Sequence, residues 1–181
     1  MILIGATGPA RAGKSTVARY LVEHGFIEVS FAAPIKRAIA TAFDIDILDL
    51  ERADFKEAVL PWLGKSPRFL LQTLGTEWGR KMVAADLWLI IAARRIEKAR
   101  AGGAVGVIVS DVRFDNEADF ILARGGHIWR IWRQAATAVR AHESERGIAD
   151  SYPCRGIVNN GSFGDLYARI DALLEPLGAG Q

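Results

Sequence analysis

The sequence has a single cysteine, Cys154, so no intramolecular disulfide can form and the chain suits a reducing compartment. It has no strong excess of charge: 23 Lys and Arg stand against 21 Asp and Glu, a formal net charge of +2. That balance is too even for bulk electrostatics to imply a nucleic-acid polymer as partner. It has no apolar run approaching the roughly 20 residues that span a bilayer. The stretch from Leu87 to Ala93 is far shorter, and the opening Met1-Ile2-Leu3-Ile4 lacks a basic flank and runs at once into Gly5, Gly8 and Pro9. Internal repeats and low-complexity tracts are missing as well. These absences leave the expectation of a cytoplasmic protein with no membrane partner, in which 181 residues at 50% hydrophobic content form a single domain over 1–181.

What is present alternates. Met1 to Ala6 is an apolar run ended by glycine and reads as a buried strand, followed directly by the helical pattern Val17, Ala18, Leu21, Val22. Phe26 to Phe31 reads as a second strand, and Pro34 opens a helix with Ile35, Ala38, Ile39, Ala42 and Phe43 on one face. Asp44 to Lys65 is expected as a partly helical excursion. Ser66-Pro67 starts a helix reaching about Val83 with Leu70, Leu74 and Trp78 on one side, and Asp86 caps another that ends near Gly102-Gly103.

Strands are expected at Val105 to Val109, His127 to Trp132 and Gly156 to Val158, with helices from Asn116 to Ala123 and through Leu166, Ile170, Leu173 and Leu174. Trp129 and Trp132 alternate on opposite faces of a strand and are both expected in the core. Gln134 to Asp150 breaks the pattern and is a candidate lid, 134–150. Alternation of this kind predicts an α/β fold of three layers, a parallel sheet of about five strands with helices on both faces, whose ligands bind at the carboxyl ends of the strands.

The segment Gly8-Pro9-Ala10-Arg11-Ala12-Gly13-Lys14-Ser15 satisfies G-x-x-x-x-G-K-[ST] between a predicted strand and a predicted helix. In such a P-loop the glycines let backbone N–H groups turn inward around phosphates, at a helix terminus that favours negative charge. The ATP-binding set is therefore Gly8, Arg11, Ala12, Gly13, Lys14, Ser15 and Thr16, with Lys14 reaching the β- and γ-phosphates and Ser15 ligating Mg²⁺. Val107-Ile108-Val109-Ser110-Asp111 is an apolar strand ending in a carboxylate. Asp111 either joins Ser15 in holding Mg²⁺, or orients the acceptor, or caps the next helix. A guanine-reading Asn-Lys-x-Asp segment is not present, which argues against a GTPase. A compact chain with a lid suits a small-molecule kinase.

Four further segments narrow the class: Phe31-Ala32-Ala33-Pro34-Ile35-Lys36, Leu70-Leu71-Gln72-Thr73-Leu74-Gly75-Thr76-Glu77, Asp111-Val112-Arg113-Phe114-Asp115-Asn116-Glu117-Ala118 and His142-Glu143-Ser144-Glu145. Their order and spacing resemble the phage-type deoxynucleoside monophosphate kinases, over nearly the whole chain. The resemblance implies transfer of the ATP γ-phosphoryl group to a deoxynucleoside 5′-monophosphate with Mg²⁺, and a host cytoplasm if the chain is phage-encoded. A homodimer is consistent with the resemblance alone.

Matched residue by residue, the acceptor region is 34–86 and the acceptor set is Lys36, Thr76, Glu77, Arg80, Arg113, Glu117 and His142. Lys36 reads equally as a solvated lysine. Thr76, Glu77 and Arg80 fall on one face of an ideal helix, where an ordinary Glu–Arg pair is the alternative. Arg113 sits at a strand end where a bidentate grip on phosphate is reasonable. Asn116 and Glu117 read first as capping groups. Arg133 closes a strand at the mouth of the lid, with Arg140 and Arg146 inside it, and these arginines are either surface charge or groups that neutralise the transferring phosphoryl. His142 reads as a lid contact. The family pattern carries an acidic residue shortly before that histidine, where Arg140 and Ala141 stand here. Asn159 and Asn160 either approach the adenine or make a turn with Gly161, and Asn160 is counted with the ATP-binding residues. The competing readings are another P-loop kinase of the dephospho-coenzyme A kinase type, and a non-catalytic ATP-binding switch.

Overall fold

The computed structural model describes residues 1–134 and 147–178. The chain falls into two compact units, Met1–Val29 with Arg94–Gln181, and Ser30–Ala93. The second unit contains the region expected to serve the acceptor.

The first unit is built on β1 (Ile2–Thr7), β2 (Phe26–Val29), β3 (Gly106–Val109), β4 (His127–Trp132) and β5 (Cys154–Val158). They form one sheet in the order β2-β3-β1-β4-β5, with every adjacent pair parallel. The central strands are buried on both faces, which is why β1 and β3 read as continuous apolar runs. On one face Ile4, Ala6, Ile108, Trp129, Ile131 and Ile157 pack against Val17, Ala18 and Leu21 of α1 (Lys14–Glu23). Leu166, Ile170 and Leu174 of the closing helix, Phe163–Leu174, complete that layer. The opposite face receives the helix Asp115–Leu122: a Cβ on Gly5 would stand 3.0 Å from Ile128 and Val112 and 3.2 Å from Ile121. The expected three-layer architecture is therefore present. Each fully buried Ile or Leu contributes about 1.5–3 kcal/mol.

The second unit begins with α2 (Ala33–Phe43), opened by Pro34. The excursion is partly helical as expected, with a 3₁₀ turn at Asp49–Glu51, α3 (Ala53–Glu57) and a Leu60–Lys65 bridge. Ser66 accepts from the Phe69 N–H and starts α4 (Pro67–Gln72). The helix continues over Thr73–Val83, wound more loosely as a π-helix. Gly75 and Gly79 explain the close packing there. Trp88 Nε1 donates to the Gly75 carbonyl at 2.7 Å, and a Cβ on Gly79 would lie 2.5 Å from the Trp88 ring. Trp88 stands near the start of α5 (Leu87–Ala101), of which 87–93 belong to the second unit and the rest to the first. The helices Asp115–Leu122 and Phe163–Leu174 are α6 and α7.

Two local expectations change. Trp129 is fully buried, but Trp132 is 49% exposed. Three residues apart on a strand, they point to opposite faces, and Trp132 ends its strand with no layer over it among the described residues. Trp78 is likewise 45% exposed instead of continuing the stripe of Leu70 and Leu74, because the π-winding shifts residues relative to an α-helical face.

Candidate active site

The site begins where β1 stops. Gly8 (φ 132°) and Gly13 (φ 109°) both adopt backbone conformations that other residues rarely take. A side chain on Gly8 would run into the Ile131 carbonyl, and one on Gly13 into the Asn159 amide. Between them Arg11 holds φ 64°, a left-handed conformation costing about 1–2 kcal/mol for a residue with a Cβ. These turns wrap the loop, and α1 follows at once through Thr16 and Val17 N–H groups bonded to the Gly13 carbonyl at 3.0 Å. The first turn of α1 has no acidic side chain and no side-chain cap, so its positive end stays available to an anion. Lys14 Nζ donates to the Gly8 and Pro9 carbonyls at 2.7 and 2.8 Å, holding its charge across the loop.

A cavity of about 460 Å³ opens over this loop. Arg11, Gly13, Lys14, Ser15 and Thr16 line it from the loop and α1, and Arg133 from the end of β4. Asn159, Gly161, Ser162 and Phe163 line it from the end of β5 and the start of α7. Three cations and no carboxylate face it among the described residues, which makes it an anion site. Asn159 Nδ2 donates to the Ala12 carbonyl at 2.9 Å and so braces the loop from the far side.

The structure thus brings together Gly8, Arg11, Ala12, Gly13, Lys14, Ser15, Thr16 and Arg133. It does not bring Asn160, expected among the ATP-binding residues, to the cavity, and it separates the two asparagines. Asn159 lines the cavity, whereas the Asn160 side-chain oxygen accepts from the Gln134 backbone N–H at 2.8 Å. Past the end of a strand successive side chains still point opposite ways, so only one of the pair faces the loop.

Asp111 and Arg113 follow β3 in a turn whose Val112 N–H bonds to the Ala6 carbonyl at 3.0 Å, beside the end of β1. They are not among the cavity's lining residues. The same turn is held by Ser110, whose hydroxyl donates to Glu28 at 2.5 Å. Glu117 is 2% exposed, and its carboxylate accepts from the Arg113 and Phe114 N–H groups at 2.7 and 3.2 Å. The Glu117 expected at the acceptor is therefore engaged at the start of α6.

Within the second unit Lys36 pairs with Glu51 at 2.7 Å. Glu77 pairs with Lys81 at 2.9 Å, not with Arg80. Thr76 is buried and Glu77 exposed, so the polar face expected of an ideal helix is divided along the π-wound segment. Arg140, His142 and Arg146, with most of the candidate lid, lie outside the described residues. The cavity residues that the sequence did not point to are Ser162 and Phe163, which carry no phosphate-binding signature.

A parallel sheet with a glycine-rich loop leading into a helix, over a cationic cavity at the carboxyl edge, defines a P-loop fold built to hold a nucleotide's phosphates. Residues 61–170 match the model of the family described as deoxynucleotide monophosphate kinase, and the chain belongs to that family and is a nucleotide kinase. It is 32% identical over 183 residues, 94% of each chain, to a protein of Acanthamoeba polyphaga mimivirus that carries the name deoxynucleotide monophosphate kinase. It is 36% identical over 135 residues to the deoxynucleoside-5′-monophosphate kinase of Escherichia phage T5, a match spanning 67% of this chain and 52% of that one. Among solved structures, a Janibacter sugar kinase superposes with a TM-score of 0.53 at 15% identity, over 97% of this chain and 95% of that one. A protein of Thermus thermophilus gives 0.50 at 20%, over 97% of each. Both agree in fold.

Proposed function

We propose that the chain transfers the γ-phosphoryl group of ATP to a deoxynucleoside 5′-monophosphate, giving ADP and the deoxynucleoside diphosphate. The observation that carries this reading is the cavity over the Gly8–Ser15 loop, free of carboxylates among the described residues, where Arg11, Lys14 and Arg133 converge at the start of α1. The bond from the γ-phosphorus to its bridging oxygen breaks, and a bond from that phosphorus to an oxygen of the acceptor phosphate forms. Both reactants are anions, so positioning and neutralisation of charge supply most of the rate.

In this reading backbone N–H groups of the loop and α1 hold the β- and γ-phosphates, and Lys14 follows the charge as it moves to the leaving oxygen. Arg133 neutralises the phosphoryl group from the β4 side. Arg113, Lys36, Thr76 and Arg80 serve the acceptor, a role supported by the motif resemblance. The oxygen ligands Ser15 and Asp111 suit Mg²⁺, which commonly takes one or two protein oxygens together with phosphates. No group of three or more His, Cys, Asp or Glu side chains capable of forming an all-protein cage occurs among the described residues. Held by these residues, Mg²⁺ would offset the negative charge of the phosphates.

The test is a coupled assay with ATP, Mg²⁺ and each of the four common deoxynucleoside monophosphates. At least one should yield its diphosphate, and chelation of Mg²⁺ should stop it. Lys14→Ala should lower kcat/KM about a hundredfold or more without unfolding the chain. Failure of all four acceptors, or near-normal turnover in that variant, would defeat the reading.

A further inference from the structure

The motif accounts for the phosphates and leaves the base of the donor without a partner. Phe163 is the first residue of α7, lines the same cavity as Lys14 and Arg11, and is 64% exposed. A single exposed phenylalanine is ordinary. This one has a rigid backing. Its ring stacks on Tyr167 with centroids 6.2 Å apart and planes at 24°. Tyr167 stacks on Tyr20 at 4.2 Å and 14°, and the Tyr20 hydroxyl donates to Asp171 at 2.8 Å. Tyr20 and Tyr167 also pack against the buried core of the sheet. Ser162 fixes the base of the ring: its hydroxyl accepts from the Asp165 N–H, while its own N–H donates to the Asp165 carboxylate.

We propose that Phe163 is the stacking platform for the base of the triphosphate donor. The inference rests on the reading of ATP as donor, and it adds a residue and a mode of recognition. A nucleotide whose phosphates lie in the Gly8–Ser15 loop projects its nucleoside away from that loop, within a cavity of which Phe163 forms a wall. The polar side chains nearby already have partners: Asn159 Nδ2 on Ala12, Asn160 Oδ1 on the Gln134 N–H, and the Ser162 hydroxyl on Asp165. The exposed aromatic face beside them offers the base a surface to stack on. Stacking tolerates any base because every base has a π-face.

Titration calorimetry of the full chain with ATP, GTP and inorganic tripolyphosphate tests this. Phe163→Ala should raise the Kd of ATP about five- to hundredfold and that of GTP comparably, in line with the stacking contribution of one base. Tripolyphosphate, which has no base, should bind the variant within twofold of the wild type, and Phe163→Trp should restore ATP binding. An ATP Kd within twofold of wild type in the alanine variant would overturn the proposal. So would equal loss for ATP and tripolyphosphate, which would place the effect in the shape of the loop. A wild-type chain that shows the expected binding pattern yet phosphorylates no deoxynucleoside monophosphate would sink the kinase reading and leave the platform standing.

Discussion

The Asn159 side-chain amide donates to the Ala12 carbonyl at 2.9 Å, joining the end of β5 to the crown of the phosphate loop across 147 positions of sequence. The same amide occupies the space that a side chain on Gly13 would need. Loop and strand end therefore constrain each other, and the loop's shape belongs to the tertiary fold as much as to its glycines.

Removing that brace should loosen the loop without unfolding the sheet. One hydrogen bond contributes about 0.5–1.5 kcal/mol, so Asn159→Ala should weaken ATP binding several-fold. Asn159→Asp should do worse, because it sets a carboxylate against a carbonyl and beside the phosphates. Calorimetric ATP titration of both variants decides this; wild-type affinity in the alanine variant would show that the amide does not hold the loop.

Glycine substitutions should divide sharply by position. Gly8→Ala meets the Ile131 carbonyl at a positive φ, so ATP binding should be lost and stability should fall by more than about 1 kcal/mol. Gly156→Ala, on an edge strand with nothing within 4 Å of the new Cβ and no positive φ, should change neither. Urea unfolding of the two variants side by side is the measurement. Equal effects would contradict the packing described.

Glu117 accepts from two backbone N–H groups while almost wholly buried. Glu117→Ala leaves them unsatisfied and should cost about 1–3 kcal/mol, with Glu117→Gln costing less because an acceptor oxygen remains. Since the groups it holds include the Arg113 N–H, the acceptor KM should rise while ATP affinity stays near wild type. An unchanged acceptor KM in a folded Glu117→Ala protein would mean that this carboxylate matters to the fold alone.

The Tyr20 hydroxyl is pushed up to about 12, first by desolvation and then by its bond to Asp171. The folded state thus favours the neutral phenol. This group's contribution to stability is fully present below the ordinary value of 10 and is lost as pH rises through about 12. Tyr20→Phe should remove its share of the alkaline fall in Tm. Phenolate absorbance titration and melting curves between those values check the sign. A Tyr20 that ionises at the ordinary value would contradict the Asp171 contact.

The phosphate loop was legible because its chemistry is local: two glycines, a lysine and a serine at fixed spacing need only a strand before them and a helix after. The strand and helix order was legible for a similar reason, since burial on both faces writes continuous apolar runs into β1 and β3. Glu117 was legible as a cap, three residues beyond the Phe114 whose N–H it accepts. The face shared by Thr76, Glu77 and Arg80 was drawn on an ideal helix. It divides because the segment is π-wound, with Trp88 seated against Gly75 and Gly79.

What the sequence by itself determined was a phosphate-binding loop in a parallel α/β sheet, because short-range spacing and strand periodicity carry both. Only the tertiary structure decided that Asn159 and not Asn160 faces the loop, that Arg133 meets Lys14 across one cavity, and that Phe163 forms its wall. These are encounters between residues far apart in the chain. They depend on the strand order β2-β3-β1-β4-β5, which places β4 beside β1 and β5 beside β4 and so gathers the ends of β4 and β5 around the loop after β1. Spacing along the sequence does not record which strands become neighbours.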